Sequence, residues 1–160
     1  MKRISVLGGL LVLGAVGCGG GSSNNAGKYV GIWTYSSGTE TTTCPDFTPS
    51  TDTSQLTGSV NISAGSSADL VTSDNSSSCV LKFDLDKNGV AQVLPGQTCT
   101  SPLTFIDGST GTLNLTPQTW MLSLFSPTVL ASSGSGTATV LTGGASYPCT
   151  FSITSMLSKQ

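Results

Sequence analysis

The fold is decided most clearly by residues 79–94, whose sequence is CVLKFDLDKNGVAQVL. Apolar residues take every second position on either side of the DKNG turn, which is typical of two strands that each bury one face. A three-residue turn ending at Gly89 pairs Leu85 with Ala91. A two-residue Asn-Gly turn would instead place Leu85 opposite Gln92. The apolar pattern therefore predicts a β-hairpin with the longer turn.

The same alternation, with turn residues every eight to twelve positions, continues along the chain after residue 28. No stretch of this part has a helical period with caps. Ser37-Gly38 predicts a turn, and residues 45–54 predict an irregular loop. The candidate strands are residues 29–35, 39–44, 56–62, 70–71, 79–85, 90–94, 112–115, 120–125, 137–142 and 149–154. We expect an all-β domain of about eight to ten short strands, either an antiparallel up-and-down barrel or a sandwich.

Charged residues are sparse, at 9% of the chain, and histidine is absent. Without imidazole the sequence offers no Ser/His or Cys/His nucleophile pair and no His-ligated metal site. From residue 28 onward there are four lysines, no arginine and eight acidic residues, a net charge of −4. Phosphate binding needs clustered Lys and Arg, so we expect no nucleic acid partner.

Motifs for catalysis are also missing from residues 28–160, where neither Gly-x-Ser-x-Gly nor Ser-x-x-Lys occurs. The acidic residues fall mostly in predicted turns. Only Asp84 and Asp86 are close in sequence, and their spacing does not define a glycosidase pair across a cleft. We therefore expect a domain that is not an enzyme, with no catalytic residues and no cofactor.

Residues 84–89, DLDKNG, match the opening of a calcium loop, D-x-D-x-N-G. Asp84, Asp86 and Asn88 carry oxygens of the kind that calcium prefers. The twelfth position, where an EF-hand has a bidentate glutamate, is Pro95, and the flanks are predicted strands. The alternative is a β-turn in which Asp86 and Asn88 cap the backbone. Calcium-dependent adhesion through this turn is thus a third functional hypothesis.

The domain contains four cysteines, an even number that is typical of an oxidising compartment. They are Cys44, Cys79, Cys99 and Cys149. A metal site is disfavoured because neither a CxxC spacing nor a histidine accompanies them. Four cysteines allow three connectivities. The hairpin register brings Cys79 close to Cys99 on the same face, so we expect that bridge, with Cys44–Cys149 as the long-range one.

The first 17 residues have the pattern of a cleaved, helical export signal. The cationic start MKR precedes an apolar run over residues 6–17, which is too short to span a bilayer. The sequence AVGC at residues 15–18 resembles the lipobox of bacterial lipoproteins. That resemblance implies cleavage before Cys18 and attachment of diacylglycerol to its thiol. With Gly19 next, it also implies a lipid anchor in the outer membrane.

A Gly/Ser/Asn-rich tether follows the lipidated cysteine, and the two together span residues 18–27. As a flexible, disordered coil, the nine residues after Cys18 reach roughly 15–18 Å. Residues 28–160 have the length of one domain. We therefore expect three parts, namely a signal peptide over residues 1–17, the lipidated tether and a single β domain.

The tripeptide Gly31-Ile32-Trp33 resembles the Gly-x-Trp signature of the lipocalin and avidin barrels. In those barrels the tryptophan closes one end. The resemblance implies a lipocalin-like barrel with an internal cavity for a small apolar ligand, lined by residues such as Trp33, Phe83 and Trp120. The alternative for both tryptophans is aromatic packing in the core.

The function that we expect is that of a lipid-anchored envelope lipoprotein, acting as a non-catalytic structural or interaction module. The alternative is a barrel that binds a small apolar ligand. An internal cavity favours the ligand barrel, whereas a filled core with an exposed apolar surface or edge strand favours the module. The expected partners are the membrane, through the anchor, and either a small apolar ligand or an envelope protein.

Overall fold

The computed structural model describes residues 25–74, 79–105 and 108–160, which form an antiparallel all-β fold. The helix α1 spans Ala26–Tyr29. The strands are β1 Gly31–Thr43, β2 Thr51–Gln55, β3 Ser59–Ala64, β4 Leu70–Asp74, β5 Val80–Leu85, β6 Ala91–Val93, β7 Cys99–Thr104, β8 Thr110–Ser126, β9 Val129–Thr142 and β10 Ala145–Lys159. Among these residues, no helix has the length and apolar character needed to cross a membrane.

The predicted signal peptide, Cys18 and residues 19–24 of the predicted tether lie outside the described residues. Residues 25–27, which the sequence assigns to the tether, belong to the folded part. Ala26 is buried in the core, one turn before Tyr29. The Tyr29 hydroxyl donates a hydrogen bond of 2.6 Å to the Gly89 carbonyl, which holds the helix against the barrel.

Eight antiparallel strands form a closed ring in the order β1, β3, β4, β5, β6, β8, β9 and β10, and β10 pairs with β1. β2 continues the line of β3 along β1, and β7 continues the line of β6 along β8. The chain therefore runs up and down around the ring, with two of its strands interrupted. Of the two expected architectures, the closed ring corresponds to the barrel.

The hairpin predicted from residues 79–94 is confirmed. Phe83 pairs with Val93 and Leu85 pairs with Ala91, which is the register of the three-residue turn. Gly89 has a φ of 80°, a conformation that glycine adopts without steric cost. Side-chain alternation sets the register here, because a slip of one residue would turn the apolar face outward.

The turn predicted at Ser37-Gly38 is wrong, since β1 runs through it with a bulge between Tyr35 and Ser37. Glycine is needed at position 38 for another reason. A Cβ atom there would lie 2.5 Å from the Cβ of Ser155, so it permits a close approach of β1 and β10. β8 also runs through a bulge, after Pro117, and includes both of the strands predicted at residues 112–115 and 120–125. Several strands are consequently longer than expected.

Two strands, β2 and β7, are not apparent from the sequence. Residues 51–55 read TDTSQ and residues 99–104 read CTSPLT, so neither has the apolar alternation of a half-buried strand. Within the described ranges, each pairs with a single neighbour. Pro102 fits β7 because a strand at an edge does not need every backbone N–H for pairing.

One end of the barrel, which we call the closed end, carries α1 and the turns that follow β3, β5 and β8. Its core is filled by apolar side chains. These include Tyr29, Trp33, Ile62, Leu70, Leu81, Phe83, Ala91, Leu122, Leu130 and Leu157. Trp33 is fully buried, its Nε1 donates to the Tyr29 carbonyl at 2.7 Å, and Lys159 Nζ lies 5.3 Å from its ring centroid.

The opposite end, which we call the extension, consists of β2, β7 and the adjoining halves of β1, β8, β9 and β10. It has its own apolar cluster, formed by Cys44, Leu113, Ala138, Val140, Cys149 and Phe151. Phe47, in the loop after β1, stacks on Phe105 with centroids 6.0 Å apart. Its ring also meets Tyr147 edge-on at 4.9 Å. One aromatic side chain thus links the ends of three strands.

Both predicted disulfides, Cys44–Cys149 and Cys79–Cys99, are confirmed. The first joins β1 to β10 in the extension. The second lies where β6 gives way to β7. At that break the Gln97 side chain replaces strand pairing, because its Oε1 accepts from Lys82 N at 2.8 Å and its Nε2 donates to Lys82 O at 2.9 Å.

Candidate functional site

An internal cavity of about 320 Å³ lies between the closed-end core and the extension. Most of the residues in its wall are apolar, several are polar, and they come from most strands of the ring. Side chains in this wall include Tyr35, Val60, Phe83, Leu115, Trp120 and Ile153. Pockets for small molecules have volumes of roughly 300–1,000 Å³ and predominantly apolar walls. In volume and lining, the cavity therefore resembles a site for a small ligand.

Trp120 separates this cavity from the extension cluster. Its Nε1 donates to Ser132 Oγ at 2.9 Å, and its ring centroid lies 6.1 Å from that of Phe151. Gly134 leaves room for the indole, because a Cβ atom at this position would lie 2.8 Å from the ring. The hydrogen bond and the glycine together fix the indole as one wall of the cavity.

Glu40 is the one charged side chain of the cavity wall among the described residues. Alternation continued from Trp33 and Tyr35 would turn it outward, but the bulge in β1 reverses the phase. Glu40 therefore shares the inner face with Ile153, its partner on β10. Burial raises the pKa of the Glu40 carboxyl. None of the described residues makes an ion pair or a side-chain hydrogen bond with it.

The ring of strands is open at the level of Glu40. There β2 pairs with β1 and β7 pairs with β8, but within the described ranges β2 and β7 do not pair with each other. Gln55 of β2 and Ser101 of β7 both contribute to the cavity wall. Two polar residues of the cavity wall thus lie on the two strands of the extension that, among the described residues, do not pair with each other.

Of the three predicted ligand contacts, Phe83 and Trp120 line the cavity. Trp33 does not, and this part of the prediction is corrected. It belongs to the core cluster of the closed end, with Leu130 and Leu157, and none of its surface is exposed. Trp33 is therefore a core residue of the end that carries α1.

The calcium hypothesis finds no support in the geometry of its three residues. Asp86 Oδ1 accepts hydrogen bonds from the backbone N–H groups of Asn88 and Val90, at 2.8 and 2.9 Å. Asp84 Oδ1 accepts from Asp69 N at 3.2 Å. The described residues contain no group of three or more acidic or cysteine side chains that could hold a metal ion. The turn uses Asp86 as a backbone cap, while Asn88 only donates its backbone N–H to it.

Sequence reasoning does not identify Glu40, Tyr35 or Ser132 as cavity residues. From the sequence, Glu40 is only one of the eight acidic residues. Its inward direction depends on a bulge that the residue pattern does not predict. A weak signal is present, since Glu40 lies in a run of threonines where neither neighbour is charged. A lone charge in a predicted strand is a reason to ask which face it takes.

The fold and the cavity define the class of this molecule, an up-and-down antiparallel barrel with an internal cavity lined mostly by apolar residues. Comparison with known proteins adds no relative to this description. A scan against protein-family models finds no match, and a search of curated proteins finds no similar sequence. Functional inference therefore rests on the chemistry of the cavity.

Proposed function

We propose that the barrel binds a small, mainly apolar molecule in its internal cavity. The observation that carries this proposal is the cavity itself, about 320 Å³ in volume and bounded by Phe83, Leu122 and Trp120. A module that acts only through its surface has no use for internal space. The cavity thus favours the ligand-binding alternative over the structural or interaction module.

The energetics of an apolar cavity support the same choice. Empty apolar space in a core costs stability, by about 24 cal/mol per Å³ in the best-studied mutational series. A ligand that fills the space stabilises the folded state, by about 2.7 kcal/mol at a concentration of 100 Kd. Thermal stability therefore reports the binding of any molecule that fills the cavity.

The test uses the full chain, purified in one detergent, and 1-adamantanol, a compact, rigid and neutral probe. Isothermal titration and the melting temperature are measured for the wild type and for two variants. Val60→Phe adds bulk at the cavity wall. Val80→Phe makes the same exchange at a side chain that is half exposed on β5.

We expect the probe to bind wild type and Val80→Phe alike and to lose its affinity for Val60→Phe by about tenfold or more. Native mass spectra before and after mild unfolding would also reveal a molecule that purifies with the protein. Equal binding to all three proteins would place the probe elsewhere. Failure of the wild type to bind the probe, with no copurifying molecule, would overturn the proposal.

We further propose that Cys18 anchors this barrel to an envelope membrane through lipid. The lipobox resemblance supports the anchor, and the two disulfides fit an oxidising compartment. Six residues separate Cys18 from Asn25, and six extended residues span at most about 22 Å. The anchor would therefore hold the closed end near the membrane and leave the extension facing away from it.

Phe125 gives this orientation a second support. It is 83% exposed, and it lies next to the turn between β8 and β9, at the same end as α1. An aromatic side chain in this position can contact lipid headgroups. We expect Cys18→Ser to release the protein from membranes, and Phe125→Ser to leave it anchored. Unchanged membrane fractionation of Cys18→Ser would overturn the anchor.

A further inference from the structure

The cavity wall contains a carboxyl group whose charge the described residues do not balance. Glu40 lies between Ile153 on β10 and Ser54 on β2 in the strand register, and neither neighbour carries a charge. Among the other lining side chains only Tyr35 can ionise, because Cys79 and Cys99 are joined in a disulfide. An ionised carboxylate without a partner in a partly buried site is costly, so a ligand that supplies the opposite charge would be favoured.

We propose that the cavity takes an organic cation, a small molecule with an apolar body and one protonated amine that pairs with Glu40. This inference rests on the proposed ligand-binding function and names the class of ligand. An ammonium group supplies hydrogen bonds and the opposite charge, and charge-assisted hydrogen bonds are about twice as strong as those between neutral groups. An anionic ligand of the same shape would meet repulsion instead.

The surroundings of Glu40 favour an amine over a metal ion. Metal ions need several acidic, cysteine or other donor groups, and the described residues contain no such group of three or more. The next carboxylate along this face is that of Asp52, which pairs with Thr42 on the extension side and is exposed to solvent. It adds attraction for a cation that enters from the extension.

The arrangement also gives the ligand an orientation. Glu40 lies at the level where the ring is open, and the polar residues Gln55 and Ser101 line the same cavity. Phe83 and Leu122 lie farther in, toward the closed end. The apolar body of the ligand would therefore enter first, and the amine would stay at the polar rim.

The test compares three probes of one shape at pH 7, the cation 1-adamantylamine, the neutral 1-adamantanol and the anion 1-adamantanecarboxylate. Dissociation constants are measured by titration calorimetry on the full chain in one detergent. We expect wild type to bind the amine about tenfold or more tightly than the alcohol, in line with one charge-assisted hydrogen bond. The anionic probe, 1-adamantanecarboxylate, should bind more weakly than the alcohol.

Glu40→Gln keeps the shape of the side chain and removes its charge. We expect this variant to lose the preference for the amine over the alcohol. Asp46→Asn is the matched control, because Asp46 lies in the loop after β1, exposed and outside the cavity wall. It removes the same charge from the same end of the molecule and should keep the preference.

The outcomes separate this inference from the function on which it rests. If wild type binds the alcohol but shows no preference for the amine, the proposal of a cationic ligand is overturned, while the ligand-binding function stands. An amine preference that survives in Glu40→Gln, or that falls as far in Asp46→Asn, would overturn the role of Glu40. Wild type that binds none of the three probes would overturn the ligand-binding function and this inference with it.

Discussion

The two ends of the barrel are held together by different means. At the closed end the strands form a ring without free edges, and the interior is filled around Trp33. In the extension six strands follow one another from β2 to β7, and the described residues show no pairing between those two. There the Cys44–Cys149 bridge and the aromatic contacts of Phe47 hold the strands. The cavity lies where one kind of closure gives way to the other.

The two tryptophans illustrate this difference on a single residue type. Trp33 is completely buried, and its indole N–H is satisfied by a backbone carbonyl. Trp120 is only partly buried, and its N–H is satisfied by the Ser132 hydroxyl at the cavity wall. Packing is thus complete around Trp33, and a cavity remains beside Trp120, between the closed end and the extension.

The largest expected effect comes from the disulfide of the extension. Cys44–Cys149 closes a loop over a sequence separation of 105, and Cys79–Cys99 closes one over 20. On the chain-entropy model these bridges contribute about 4.8 and about 3.3 kcal/mol. We expect Cys44→Ala/Cys149→Ala to lower the free energy of unfolding more than Cys79→Ala/Cys99→Ala does, as measured by urea denaturation.

Amide hydrogen exchange shows which part of the barrel loses stability when this disulfide is removed. Without Cys44–Cys149, amide protection should fall first in the tips of β9 and β10 and last in the closed end around Trp33. Equal loss of protection at both ends would show that the ends unfold as one unit, and the contrast between them would then be only geometrical.

The next effect compares the tryptophans directly. Trp33→Ala leaves a large void in a filled core and an unsatisfied Tyr29 carbonyl, so we expect a loss of about 3–5 kcal/mol. Trp120→Ala enlarges an existing cavity, so we expect a smaller loss, of about 1–3 kcal/mol. Chemical denaturation of both variants checks the order. If Trp120→Ala were as costly as Trp33→Ala, the cavity wall around Trp120 would be packed as firmly as the closed end.

Much of the barrel follows from local residue patterns. The hairpin of β5 and β6 is predictable in its register, and the Cys79–Cys99 bridge with it, because apolar alternation around a short turn leaves one arrangement of strands. Cys44–Cys149 then follows by elimination. These inferences need only neighbouring residues or the count of cysteines.

The cavity and its carboxyl could not be predicted in the same way. The inner face of β1 changes phase at the bulge after Tyr35. Just beyond this bulge Gly38 packs closely on Ser155, a residue 117 positions later in the chain. β2 and β7 are held by their partners β1 and β8 and not by their own composition. Such features depend on tertiary contacts, and a single sequence does not display them.

A third effect concerns glycines at the two ends. In the extension, a Cβ atom at Gly136 would clash with the Thr116 carbonyl and lie 2.8 Å from the Phe151 ring. We expect Gly136→Ala to cost about 1–3 kcal/mol by overpacking. Gly27, in α1, has no atom within 4 Å of that position. Gly27→Ala should be neutral or should stabilise by up to about 1 kcal/mol. Thermal denaturation of both variants compares the two, and a harmless Gly136→Ala would mean that the extension can expand.

The smallest effect is the pH dependence of stability due to Glu40, which lies in the cavity wall between the two ends. Burial raises the pKa of this carboxyl, so the folded state binds the proton more tightly than the unfolded chain does. Stability therefore falls as pH rises from the unfolded pKa, about 4.3, through the raised folded value. Below this window both states are protonated and the penalty is absent.

Glu40→Gln removes that penalty. We expect the variant to be slightly more stable than wild type at pH 7, by less than any loss described above, and equal to it near pH 3.5. Urea denaturation across this range measures the difference, with Asp46→Asn reporting the effect of net charge alone. A protonated amine in the cavity reverses the sign, because it pairs with the ionised carboxylate and stabilises wild type more as pH rises. Wild type that is more stable than Glu40→Gln at pH 7 without ligand would mean that the carboxylate already has a favourable partner in the barrel.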